Sequence, residues 1–187
     1  RTRFHLAQRT NLEWLHRLEP DRLLYYFRNL SGIPQPSGVK PHGGWDGAGT
    51  GLRGHMAGHY LTAASLAAAT TGDALLLQRL EYITASLAEC QRASGDGYIS
   101  GFDTSEFARM EDFPAPPYAW VPYYVMHKVL AGLVDFHRLW GSAQALQVAI
   151  RLAEHLKRRA ERVISRGMDR WHTFINQEVG GMSEVLT

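Results

Sequence analysis

At 187 residues, 45% hydrophobic and 20% charged, the chain has the makings of one globular domain with a sizeable core, not of a disordered segment. Its formal net charge is +2 and its basic residues are scattered, so no stripe for nucleic acid is present; LKRRAER (156–162) comes nearest and reads as the solvated face of a helix. No apolar run reaches the roughly 18 residues of a membrane span, RTRFHLAQ at the N-terminus is not the apolar stretch of a leader peptide, and the single Cys90 excludes an internal disulfide or an all-cysteine metal site.

Along the chain, helix signals dominate. Pro20 and Asp21 open a helix through DRLLYYFRNL (21–30), which Ser31-Gly32 ends. The next twenty residues, SGIPQPSGVKPHGGWDGAGT, are predicted to form a long loop, of a length that usually carries function. Trp45 within it argues against disorder. A helix over about 54–71 is small and apolar on nearly every face, with Ala57, Ala63, Ala64, Ala67, Ala68 and Ala69, and is predicted to be buried on all sides. Over about 73–92, Leu76, Leu80, Ile83, Leu87 and Cys90 recur every three or four residues, with Gln78, Arg79, Glu81 and Glu89 elsewhere. That pattern predicts an amphipathic helix with one face in water.

The pair then repeats. Residues 121–139 are apolar over most of the surface, with Pro122 in the first turn. Residues 142–164 are amphipathic, with Leu146, Ile150, Ala153, Leu156, Ala160 and Val163 on one stripe. The turns TTGD (70–73) and WGSA (140–143) are equivalent, glycine ending one helix and Asp73 or Ser142 capping the next. Buried helix, turn, exposed helix, repeated, predicts an all-α fold of helical hairpins arranged in a ring or solenoid. In a closed ring the N-terminal ends of the inner helices face a central cavity, and His55, His59 and His127 lie near those ends. A third inner helix is predicted to begin at GGMSEVLT, with Ser183 as N-cap and Glu184 in the first turn. It reaches Thr187 after about one turn, so the domain is expected to be truncated at this C-terminus.

Residues i and i+4 share a helix face, so His55 and His59 are spaced to hold a zinc ion together, to hydrogen-bond in a polar pocket, or simply to pack. A zincin would need glutamate after the first histidine, where Met56 stands. His127 faces the same choice. Glycosidases commonly work with a pair of carboxylates, and Asp46, Asp96, Glu111, Asp112, Glu178 and Glu184 lie in predicted loops or helix starts; Glu184, behind Gly180-Gly181 at an inner-helix start, is the best placed. Trp45, Tyr98, Trp120, Tyr123 and Tyr124 offer flat faces that suit a sugar or a core. Cys90, on the apolar stripe of an outer helix, reads as core filler.

The blocks LEPDRLLYYFR, GGWDG, GHMAGHYLTAASLAAATTGD, LAECQRASGDGYI, VPYYVMHKVLAGLVD and GGMSEVL, in that order from about Phe4 to Leu186, resemble the beta-L-arabinofuranosidase family (domain of unknown function 1680; glycoside hydrolase families 127 and 146). The resemblance implies an (α/α)6 barrel followed by beta-sandwich domains, with residues 1–187 the N-terminal portion of one catalytic domain. It also implies retaining hydrolysis of terminal beta-L-arabinofuranosides, in which a zinc-bound cysteine thiolate is the nucleophile and a glutamate the acid/base. Those residues belong to blocks that follow GGMSEVL in the family, so the zinc of the complete enzyme would have its ligands outside this chain, which would be inactive alone. Cys90 matches LAECQ, which is not the nucleophile's block. What the resemblance assigns here is part of a sugar pocket: Trp45, Asp46, His55, His59, Tyr123, His127 and Glu184, with no catalytic residue and no metal ligand among them. Asp46 stands where the family commonly has glutamate, Tyr123 where it has tryptophan and Ser183 where it has asparagine. The expected partner is an arabinose-containing oligosaccharide or glycan, and this substrate class suggests an extracellular or periplasmic setting. Two other readings fit the same residues: a different (α/α)6 carbohydrate-active enzyme, and a non-catalytic helical module that binds sugar or protein.

Overall fold

A computed structural model describes residues 2–112, 120–178 and 181–187. The side chain of Glu178 and all of Gly180, both named above, lie outside the described residues. Among the described residues the fold is all-helical, without a strand: α1 (Arg3–Arg17), α2 (Pro20–Leu23), α3 (Tyr25–Ser31), α4 (His55–Thr71), α5 (Ala74–Ser94), α6 (Thr104–Asp112), α7 (Pro122–Trp140), α8 (Ala143–Ile164), α9 (Met168–Glu178) and α10 (Met182–Val185), with one 3-10 turn at Gly44–Asp46.

The two hairpins follow from local chemistry. Gly72 and Gly141 end α4 and α7 at φ 71° and 69°, and their amides bond back to the Ala68 and His137 carbonyls. The next residues cap the outer helices: an Asp73 side-chain oxygen accepts from Leu76 N at 3.0 Å and Ser142 Oγ from Ala145 N at 3.2 Å. The helix expected over 21–30 is instead two pieces. Its chain turns at Leu24, between α2 and α3, before Gly32 ends it at φ 69°.

The most extensive contact is α4 against α7. Their contacts advance in the same direction along both helices: His59 meets Tyr124, Thr62 donates to Asp135 at 2.7 Å, and Trp140 Nε1 donates to the Ser65 carbonyl at 3.2 Å. The two inner helices are therefore parallel, and α5 and α8 return behind them. This is the hairpin packing of part of an (α/α)6 barrel.

Three expectations need correcting. First, α4 is not buried on all sides: His59, Leu66 and Ala69 are exposed and Thr62 and Ala63 half-buried, a stripe at helical spacing. A matching half-buried stripe on α7 runs through Tyr124, Lys128, Ala131 and Asp135. These stripes carry small or mixed residues, so no polar periodicity announces them. Second, the fully buried stripe of α8 is rotated from the one expected, through Ala145, Val148, Ala149, Leu152, His155, Leu156, Arg159 and Val163. Ile150 is exposed, and with Ala153 and Ala160 it lines an apolar groove of about 520 Å³ against Trp171, Phe174 and Met182. Third, Ser183 is not the cap of α10. Gly181, at φ 87°, takes that position, because a Cβ there would meet the His127 ring at 2.7 Å.

The candidate sugar-binding site

The start of α4 is tied down by the loop before it. Asp46 is 2% exposed, and its Oδ1 accepts from Gly54 N at 2.8 Å. The same oxygen lies 3.3 Å from His55 Nδ1, while the Leu52 carbonyl lies 2.7 Å from that nitrogen. Asp46 thus satisfies one of the amides that a helix start leaves without a partner. Gly54 sits at φ 91°, against Phe27 and Gly101, where a Cβ would meet the Phe27 ring at 2.9 Å.

One turn on, His59 stands beside its neighbour. The His55 and His59 rings meet edge to face at 5.5 Å, and the Tyr124 ring lies 6.5 Å from one and 6.3 Å from the other. His59 Nε2 lies 3.2 Å from the Tyr124 hydroxyl. Lys128, one turn beyond Tyr124 on α7, holds its ammonium 5.0 Å from the centre of the Tyr124 ring, a cation–π contact. His127 is 4% exposed, its ring against Gly181 and its Nδ1 buried without a partner.

Burial pushes His59 below the ordinary histidine range, toward its neutral form, helped by repulsion from the neighbouring His55, Lys128 and His127. Burial and Lys128 also depress His127, with Glu184 opposing them. Glu184 is exposed on α10, within electrostatic reach of His127.

The structure therefore brings His55, His59, His127 and Glu184 to one end of the α4–α7 pair, with Asp46 buried behind His55. Trp45 is 73% exposed in the 3-10 turn next to Asp46. Tyr123 faces the other way: its hydroxyl donates to Glu111 Oε1, and its ring packs edge-on against Phe107 and Phe174. Glu111 itself is 3% exposed in an ion pair with Arg159 of α8, so one member of the basic run 156–162 is a core residue and not part of a solvated face. Asp112 pairs with Arg166, and Asp96 lies beside His155; both are away from the imidazoles. Sequence reasoning missed Lys128 and offered Tyr124 only as one of five aromatic faces. A signal was available, since 124 and 128 stand four apart, as 55 and 59 do.

Among the described residues no group of three histidine, cysteine, aspartate or glutamate side chains converges as a metal would need. Cys90 is fully buried and burial pushes its thiol up, away from thiolate character. These residues do not fit the zinc–thiolate set that the family resemblance implies. What the site offers is imidazoles, a phenol and an ammonium, groups able to donate and accept hydrogen bonds.

The family model described as beta-L-arabinofuranosidase, GH127 catalytic domain, matches residues 1–187, the whole chain. The chain belongs to that glycoside hydrolase family, and its substrate is accordingly a glycan. None of the curated proteins compared with it matches.

Proposed function

We propose that the chain supplies part of the sugar pocket of an enzyme that hydrolyses terminal beta-L-arabinofuranosides with retention of configuration. Family membership over the whole chain supports the reaction class. The observation that carries the role of these residues is the convergence of His55, His59 and Tyr124, with Lys128 beside them, at one end of two parallel inner helices. Neutral imidazoles offer one donor and one acceptor each, and a sugar hydroxyl needs both. His55, His59, Tyr124 and Lys128 bind and orient the sugar, while Trp45 covers it at the rim. The zinc and thiolate nucleophile that the family implies are proposed to be held by residues other than those described.

The test is release of L-arabinose from an aryl beta-L-arabinofuranoside by the full-length protein. A panel of other aryl glycosides separates this reading from another exo-glycosidase on the same scaffold. Turnover confined to a different glycoside would replace the substrate assignment. No turnover on any, with retained sugar binding, would leave a non-catalytic module.

A further inference from the structure

Asp46 and the Leu52 carbonyl approach the same nitrogen of His55, and both are acceptors. The distances are 3.3 Å from Asp46 Oδ1 and 2.7 Å from the Leu52 oxygen to His55 Nδ1. An imidazole nitrogen between two acceptors must carry the hydrogen, and in the neutral ring the other nitrogen is then an acceptor. No described residue donates to His55 Nε2, nor is it among the buried polar atoms that lack partners, so it reaches solvent. The ring is otherwise enclosed, its side chain 8% exposed, and it leans on His59 and Tyr124 at the site.

The carboxylate is set apart from a solvated loop aspartate. It is 2% exposed, its Oδ1 accepts from Gly54 N–H and lies 3.3 Å from His55 Nδ1, and its Oδ2 is buried without a partner. Burying a carboxylate with one oxygen unmatched is costly. Its placement does two things: it anchors the loop to the first turn of α4, and it holds the His55 ring from behind.

We infer that Asp46 is a positioning residue which, with the Leu52 carbonyl, holds His55 as the Nδ1–H tautomer so that Nε2 accepts a hydroxyl hydrogen from the bound sugar. The identity of the ligand as a sugar rests on the proposed function above; the tautomer does not. Asp46, 2% exposed, acts through His55. One side of the imidazole is a structural clamp and the other a recognition group.

The decisive measurement is the nitrogen-15 spectrum of the histidines in the full-length protein at neutral pH, with His55 assigned by its loss in His55→Asn. The Nδ1–H tautomer is expected; an Nε2–H tautomer, or a doubly protonated ring, overturns the inference. Paired variants carry the functional half. Asparagine at 55 places an N–H where Nδ1 stands and removes the acceptor, whereas glutamine places a carbonyl near Nε2. His55→Asn is expected to keep a melting temperature near that of the parent and to lose about tenfold in kcat/KM, carried by KM. His55→Gln is expected to retain more, and equal losses would overturn the acceptor role. Asp46→Asn keeps the oxygen that anchors Gly54 and should leave the tautomer unchanged, while Asp46→Ala frees the turn that presents the Leu52 carbonyl and should blur the tautomer into a mixture. If Asp46→Ala lowers the melting temperature but leaves the His55 signals in place, Asp46 is structural only. Should the parent protein hydrolyse no arabinofuranoside, the proposed substrate fails, and the spectrum still decides the clamp.

Discussion

Gly58 of α4 lies directly against the backbone of Lys128 in α7: a Cβ at position 58 would stand 2.2 Å from the Lys128 carbonyl. Gly132 completes the crossing, with the Gly58 carbonyl 2.6 Å from where its own Cβ would be. The two inner helices touch backbone to backbone here. His59 and Lys128 follow from that contact, because each sits at or next to the crossing and is thrown toward the same end of the pair.

Gly58→Ala is expected to push the inner helices apart, costing about 3 kcal/mol as overpacking does in a rigid core. Urea unfolding of parent and variant measures it. Gly49→Ala, at a loop glycine with open space around it, should change little. A Gly58→Ala protein as stable as the parent would mean that the helices do not approach this closely.

His59→Ala should lower kcat/KM by about tenfold, since it removes a pocket imidazole, while zinc per protein stays unchanged. Tyr124→Phe deletes only the hydroxyl and should cost roughly fivefold, on the scale of one hydrogen bond. Metal analysis beside the kinetics separates the two roles open to the histidine pair. Loss of zinc in His59→Ala would assign the pair to the metal.

His59 and His127 are both held below the ordinary histidine range, chiefly by burial, and burial does the same to His42 and His155. Below about pH 6.5 the unfolded chain binds protons that the folded protein refuses. Stability is therefore full above about pH 6.5 and falls as the pH drops from there through the depressed folded values. The urea midpoint should decrease between pH 7.5 and 5.5. Lys128→Met removes one of the charges that depress His59, so the His59 titration should move upward toward its ordinary value; an unmoved titration would place the ammonium elsewhere.

Arg159 and Glu111 pair in the core, 4% and 3% exposed, with the Tyr123 hydroxyl on the same carboxylate oxygen. Arg159→Met leaves a buried carboxylate without its countercharge and is expected to cost about 3–5 kcal/mol. Replacing both partners by methionine should recover part of that loss, because no lone charge then remains. A double variant worse than the single one would show that Tyr123 needs the carboxylate more than the carboxylate needs Arg159.

Some of this was legible in the chain alone. The hairpins were, since Gly72 with Asp73 and Gly141 with Ser142 act within one turn of themselves, and a cap depends on its immediate neighbours. The stripe Leu76, Leu80, Ile83, Leu87 and Cys90 was legible too, and every member is fully buried. His55 and His59 declared a shared face by their spacing. Helices α1, α6 and α9 escaped notice, having no long apolar period, although Asp103 caps α6 by accepting from Ser105 N–H at 2.8 Å.

Tertiary structure decided the rest. Whether Tyr123 or Tyr124 joins the histidines is a matter of helix rotation, and neighbours in sequence point about 100° apart on a helix; Glu111 and Phe107 claim the first and leave the second to His59. The buried face of α8 was likewise set by what lay opposite it, since Arg159 could turn inward only where Glu111 waited. A sequence states which residues can bind a sugar through their chemistry. Only the packed helices, brought together at Gly58, determine which of those residues meet.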